Sequence, residues 1–238
     1  MVDARKLESF GSLTRPLFAA LRGEAHPLPS ASHLTMACEA LQRGFVSARN
    51  AGAYANPWTI AGIGKRETRN CAVLGHLWDP VIVGDIARKF LIETLCVADP
   101  REEHAFPIQD ISSRPYSVIC ESCLAGDTAN RMDIVIQSLG GTPGWTIVIE
   151  AKVDADLGEK QLERYAFDLA DRRRLTGQET YLILLSPNPP DALDKAIPHI
   201  RWQDIASAAN RAVSSERLLA LPESLIRDFA DHIRNFDF

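Results

Sequence analysis

A chain of 238 residues with 46% hydrophobic and 24% charged side chains holds enough apolar material for a sizeable core, and its composition is too ordinary for a disordered or fibrous protein. A net charge of −5 argues against coating nucleic acid through bulk positive charge, so any polyanion would have to be met by a local basic patch. The five cysteines follow no disulfide framework, no apolar run approaches the roughly 20 residues that span a bilayer, and MVDARKLESF lacks the apolar stretch of a secretory signal; a reduced, cytoplasmic setting without a membrane partner is expected.

Residues 1 to about 60 read as helices separated by loops. HPLPS at 26–30 is a break, and Ser32 is placed to cap a helix running to about Asn50. The small-residue connector AGAYANPWTIAGIG at 51–64 marks the expected boundary between an N-terminal helical extension, 1–60, and a main domain, 61–238. A helical pattern runs from Lys65 to about Trp78 and is stopped by Asp79-Pro80; a second runs from about Gly84 to Val97 and is stopped by Asp99-Pro100. The period then changes. Stretches 116–120, 131–137 and 145–150 read as strands, separated by turn material in AGDTAN and LGGTPG. A helix over about 157–175, an apolar strand over 180–185 halted by SPNPPD, and helices over about 203–213 and 222–235 complete the chain. This order implies an α/β domain with a mixed sheet, antiparallel across the short connections and parallel across the crossover from Ile147 to Leu185.

One strand ends oddly. The apolar run from Trp145 to Ile149 suits a buried strand, yet it leads into Glu150 and Lys152, which share a face because residues two apart in a strand do. Asp133 lies in the preceding strand, RMDIVIQ, and pairing through the 139–144 turn would bring both carboxylates to one end of a hairpin. Two carboxylates a few Å apart repel unless a cation sits between them, and such oxygen ligands suit Mg²⁺. A lysine beside the ion can hold and polarise a water, while the ion acidifies that water and neutralises charge on a phosphoryl oxygen, which is the chemistry of phosphodiester hydrolysis. In the following helix Leu162, Tyr165, Ala166 and Leu169 form a core-facing stripe, and Gln161, one turn before Tyr165, directs its amide toward the sheet.

Asp133, then Glu150-Ala151-Lys152, then Gln161-x-x-x-Tyr165 resembles the PD-(D/E)XK nuclease superfamily, including the Q-x-x-x-Y helix of one large branch. GIGKRETRNCAVLGHLWDP at 62–80 resembles the acid-bearing first helix of that branch, with Glu67 as the additional carboxylate. YLILLSP and IRWQDI resemble its last core strand and the segment after it, so the resemblance covers about 60–205. It implies a restriction-endonuclease-like core, a central mixed sheet flanked by helices. It also implies an endonuclease that uses Mg²⁺ or Mn²⁺, bound by Asp133, Glu150, the Ala151 carbonyl and Glu67, with Lys152 positioning the water and Gln161 completing the site. Lys65, Arg66, Arg69 and Tyr165 are the candidate nucleic-acid contacts. DNA as substrate, a homodimer able to cut both strands and a role in host defence follow from the same resemblance. Two positions depart from the pattern: Met132 stands in place of the nominal proline, and Ala151 where a polar residue is frequent.

Plainer roles compete. Glu150 and Lys152 could form a surface ion pair, and Glu67 could serve the helix dipole in a first turn. Arg172-Arg173-Arg174 reads as a solvated helix end, His76, His104 and His199 follow no ligand spacing, and Asp154 and Asp156 suit a turn and helix cap. A non-catalytic binding module of the same fold and an RNA-directed nuclease effector are the alternative functions.

Overall fold

A computed structural model describes residues 30–50, 55–123, 131–140, 143–154, 160–190, 193–213, 220–234 and 236, and the chain divides into two compact units, Met1–Ala55 and Asn56–Phe238. In the first unit the described residues form helix α1, Ala31–Asn50. Its cap is Ser30, whose hydroxyl accepts from the His33 N–H at 3.4 Å, two residues before the Ser32 expected from sequence.

The boundary lies at 55/56 rather than 60/61 because Asn56 and Trp58 are tied into the second unit. Asn56 caps the one-turn helix α2, Pro57–Ile60, by accepting from the Trp58 and Thr59 N–H groups, with Pro57 at the first helical position. Its amide donates to the Asp228 carbonyl at 2.5 Å, and the Trp58 indole donates to the Leu225 carbonyl at 3.2 Å. The same Asx-Pro pairing recurs after helix α3, Glu67–Leu77. There Asp79-Pro80 ends one helix and begins another, α4, Pro80–Val83, since the Asp79 carboxylate accepts from the Val81 N–H at 2.8 Å. Helix α5 follows over Ile86–Ala98, and a short α6, absent from the sequence reading, over Ile108–Ser113.

Strands β1, Tyr116–Cys123, β2, Arg131–Ser138, and β3, Trp145–Ala151, form an antiparallel meander. Helix α7, Gln161–Thr176, crosses to β4, Glu179–Leu185, which lies parallel to β3. A two-residue strand β5, His199–Ile200, adds a parallel edge; it is too short to show a period of two in the sequence. Helices α8, Trp202–Ala212, and α9, Leu221–Arg234, close the fold. The result is α/β: a five-stranded mixed sheet in the order β1-β2-β3-β4-β5, flanked by helices.

The central strand β3 is buried along its whole length. One sheet face, with Ile134, Ile136, Ile147, Ile149, Ile183 and Leu185, packs on residues of α3, α5, α8 and α9. The other, with Val135, Val148, Leu182 and Leu184, packs on Tyr165 and Leu169 of α7. Burying a side chain such as Leu169 contributes roughly 1.5–3 kcal/mol, so the two stripes are what hold α3 and α7 on opposite faces. Ala166, expected in the α7 stripe, is exposed. Among the described residues no helix is long and apolar enough to cross a membrane.

Candidate active site at the end of the central strand

The β2–β3 register pairs Ile134 with Ile149, and one further step sets Asp133 opposite Glu150 at the point where the ladder stops. The strands around Asp133 are irregular. The β1–β2 ladder passes from Cys120↔Ile134 to Ser122↔Met132 without a Glu121–Asp133 pair, and Glu121 takes a left-handed backbone with φ 55°. Met132 and Ile134, two apart, pack on opposite faces of the sheet, so β2 turns over at Asp133. Freed from the regular pattern, the Asp133 carboxylate takes the place of a ladder partner and accepts the Ala151 N–H at 2.8 Å. The Ala151 carbonyl leaves the strand on the same edge as its N–H, toward β2.

Glu150 is 1% exposed. Its Oε1 accepts from the Gln161 amide and from the Lys152 ammonium, each at 2.6 Å. Its Oε2 is buried without a hydrogen-bond partner among the described residues. The Asp133 and Glu150 carboxyls lie within hydrogen-bonding reach of each other, and a proton between them would satisfy both. Burial, then the Asp133 charge, pushes Glu150 up to about 7 against the opposing Lys152. Burial also raises Asp133, although the Ala151 N–H and Lys152 work to lower it.

Lys152 is held between acids from two elements, at 2.6 Å from Glu150 and 3.5 Å from Glu67 Oε1 at the start of α3. Burial works to lower its ammonium, and Glu150, Asp133 and Glu67 together outweigh that and keep it above its ordinary value. The other Glu67 oxygen accepts the Val153 N–H at 3.2 Å. Gln161 opens α7 and also meets the Tyr165 hydroxyl at 3.0 Å, which in turn donates to the Arg131 carbonyl at 2.9 Å. Sheet, α3 and α7 therefore each contribute to one cluster.

Glu67, Asp133, Glu150, Ala151, Lys152 and Gln161 are brought together as the sequence order suggests. Among the described residues no three Asp, Glu, His or Cys side chains are arranged to hold one ion, and both Glu67 oxygens are engaged, with Lys152 and with the strand end behind it. Tyr165, expected to touch nucleic acid, is 2% exposed and braces Gln161 instead. Lys65 lies at the rim, 3.6 Å from Asp154, and Arg66 and Arg69 are exposed on the first turn of α3; Asp156 falls outside the described residues. Arg172, Arg173 and Arg174 are engaged with Gln178, Glu179 and Asp171, as a helix end would be.

Two further residues border the cluster. Cys71, one turn after Glu67, is 1% exposed, and burial followed by the Asp133 and Glu67 charges raises its thiol far above the usual range, so it is an inert packing group. The Trp202 indole donates to the Lys152 carbonyl at 2.8 Å. A lone tryptophan before a helix carries no sequence signal of such a bond.

The donor set suits Mg²⁺ or Mn²⁺: Mg²⁺ is commonly held by one or two carboxylates, with water and substrate phosphate completing its shell, and the orphaned Glu150 oxygen beside Asp133 is the kind of atom such an ion satisfies. No protein-family model, curated protein or solved structure matches the chain.

Proposed function

We propose that this protein is a metal-dependent nuclease of the PD-(D/E)XK type, with a restriction-endonuclease-like core, hydrolysing phosphodiester bonds in DNA. The observation that carries the reading is the buried Glu150 oxygen without a hydrogen-bond partner among the described residues, beside Asp133 and next to a lysine pinned by two acids. A divalent cation bound there would supply positive charge for a phosphoryl oxygen and acidify a water. Asp133 and Glu150 act as its anionic holders, and the Ala151 carbonyl lies on their side of the strand. Gln161 fixes the Glu150 carboxyl by its Oε1 and leaves Oε2 for the ion. Lys152 orients the attacking water with its ammonium, which Glu67 keeps in place from the α3 side. Lys65, Arg66 and Arg69, at or just before the start of α3, meet the phosphate backbone and offset the chain's net negative charge. A homodimer acting in host defence rests on the resemblance alone.

Purified protein incubated with plasmid and linear DNA is expected to cut only when Mg²⁺ or Mn²⁺ is present, and Lys152→Ala to abolish cutting. Wild type without cleavage under either metal, or Lys152→Ala with undiminished cleavage, would remove the catalytic reading. Calorimetric Mn²⁺ titration separates the alternative, since a binding module of this fold would show no uptake dependent on Asp133 and Glu150.

A further inference from the structure

Lys152 lies one residue beyond the end of β3, and the last bond of the β3–β4 ladder, at the Ala151–Leu185 pair, runs from its N–H. Both polar groups of its main chain are held. Its N–H donates to the Leu185 carbonyl at 2.7 Å, and its carbonyl accepts from the Trp202 indole at 2.8 Å. The two clamps come from different elements, the end of β4 and the start of α8. A lysine side chain carries about 2 kcal/mol of rotamer entropy, so a fixed backbone is the base from which its ammonium can be aimed.

Trp202 is itself rigidly placed. It is 0% exposed, its ring packs against Phe236 with centroids 5.9 Å apart, and it is the first residue of α8, behind Arg201, whose backbone N–H and guanidinium both donate to the Asp204 carboxylate. An indole N–H only donates, and a buried one usually finds an acceptor. Packing alone does not demand it here. Trp78 and Trp145 are buried in the same core, and their indole N–H groups have no partner among the described residues.

We infer that Trp202 is a positioning residue for Lys152: its indole N–H, by holding the Lys152 carbonyl, sets where the ammonium stands between Glu150 and Glu67. The inference rests on the nuclease reading for its effect on rate, but not for the contact itself. A misplacement of about 1 Å can slow a reaction about a hundredfold without weakening substrate binding.

The experiment compares Trp202→Phe with Trp78→Phe in the full chain. Both remove an indole from the same core, and only the first removes a donor to Lys152. Trp202→Phe is expected to lower kcat for DNA cleavage by roughly 10- to 100-fold with KM within about twofold, and Trp78→Phe to leave both within about twofold. Equal losses in the two variants, or an unchanged kcat in Trp202→Phe, would overturn the inference. Amine acetylation followed by mass spectrometry reads the contact without any activity: Lys152 labelling rises several-fold in Trp202→Phe and not in Trp78→Phe. Should wild type cut no DNA, the nuclease reading fails while the labelling arm still decides the positioning claim, and unchanged Lys152 labelling sinks it. If Trp202→Phe does not fold by circular dichroism, replacing Trp202 with 3-benzothienylalanine keeps the ring volume, deletes only the N–H, and is judged by the same outcomes.

Discussion

The Lys152 ammonium lies 2.6 Å from a carboxylate, Glu150, that is 1% exposed, and each charge is tolerable inside the protein because of the other. Removing one member strands its partner. Lys152→Met keeps most of the aliphatic stem and deletes the charge, and breaking a buried pair from one side costs about 3–5 kcal/mol. The cost is expected in full at pH 8, where Glu150 is ionised, and to shrink strongly at pH 5, where a proton replaces the lysine. Glu150→Gln added to Lys152→Met should recover much of the pH 8 loss. Urea unfolding of wild type and the two variants at both pH values checks this; a pH-independent cost would contradict the pairing.

The pKa of Glu150 has a consequence for the unliganded wild type. Its folded-state value is raised from 4.5 to about 7 by burial and by Asp133. A raised folded value means stability that is fully present below the unfolded pKa, and lost as pH climbs through the folded one. Between about pH 4.5 and 7 the metal-free protein should therefore lose stability at up to roughly 1.4 kcal/mol per pH unit from this group, with Asp133 contributing in the same direction. Glu150→Gln cannot charge, so it should flatten that slope, while at every pH it carries the cost of leaving the Lys152 ammonium with Glu67 alone. Denaturant midpoints measured from pH 4.5 to 8 without metal test the sign, and a wild type that gains stability across this range would refute it.

The chain Arg131 carbonyl, Tyr165 hydroxyl, Gln161 amide, Glu150 carboxyl links α7 to the site by successive hydrogen bonds. Tyr165→Phe removes the hydroxyl that donates to the Arg131 carbonyl and accepts from the Gln161 amide, a loss of about 1–3 kcal/mol in stability. Gln161 keeps its bond to Glu150, so cleavage should fall only several-fold. Gln161→Ala removes one of the two donors to Glu150 Oε1 and leaves only Lys152, and its kcat should fall by at least tenfold with little loss of stability, because the residue is only partly buried. Steady-state kinetics and thermal unfolding of the two variants should thus rank in opposite orders; the same rank in both would break the relay.

The acids and lysine were legible because a period of two and a short hairpin decide which strand ends meet, and one step beyond the Ile134–Ile149 pair already sets Asp133 beside Glu150. What sequence left unread depends on single atoms. A left-handed Glu121 gives no hint in a non-glycine residue, yet the strand turns over beside it and releases Asp133. Asp79-Pro80 and Asn56-Pro57 were read as a stop and as part of a connector, although an Asx cap before proline equally starts a helix, and the anchoring of Trp58 on α9 moved the unit boundary to 55/56. Tyr165 was assigned to nucleic acid by its motif, and only the packing of α7 against the sheet shows its hydroxyl turned inward.

Glu67 can reach Lys152 only if α3 lies close to β1, and Gly75 permits that approach. A Cβ at Gly75 would meet the Cys120 sulfur closer than unbonded atoms can stand, and Val118 Cγ1 at 3.4 Å. Gly75→Ala must turn the Cys120 side chain aside or push helix and strand apart. Overpacking of this kind costs about 1–3 kcal/mol, although alanine is the better helix former by roughly 1 kcal/mol, so the packing term decides the sign. The shift also carries Glu67 away from the ammonium 3.5 Å distant and from the Val153 N–H, so cleavage should fall more than stability alone explains. Cys120→Ala removes the colliding sulfur, and the double variant should regain most of both losses. Urea unfolding and cleavage assays on the single and double variants check this. A Gly75→Ala protein as stable as wild type would show that α3 does not need the close approach, and failure of Cys120→Ala to restore it would place the clash elsewhere.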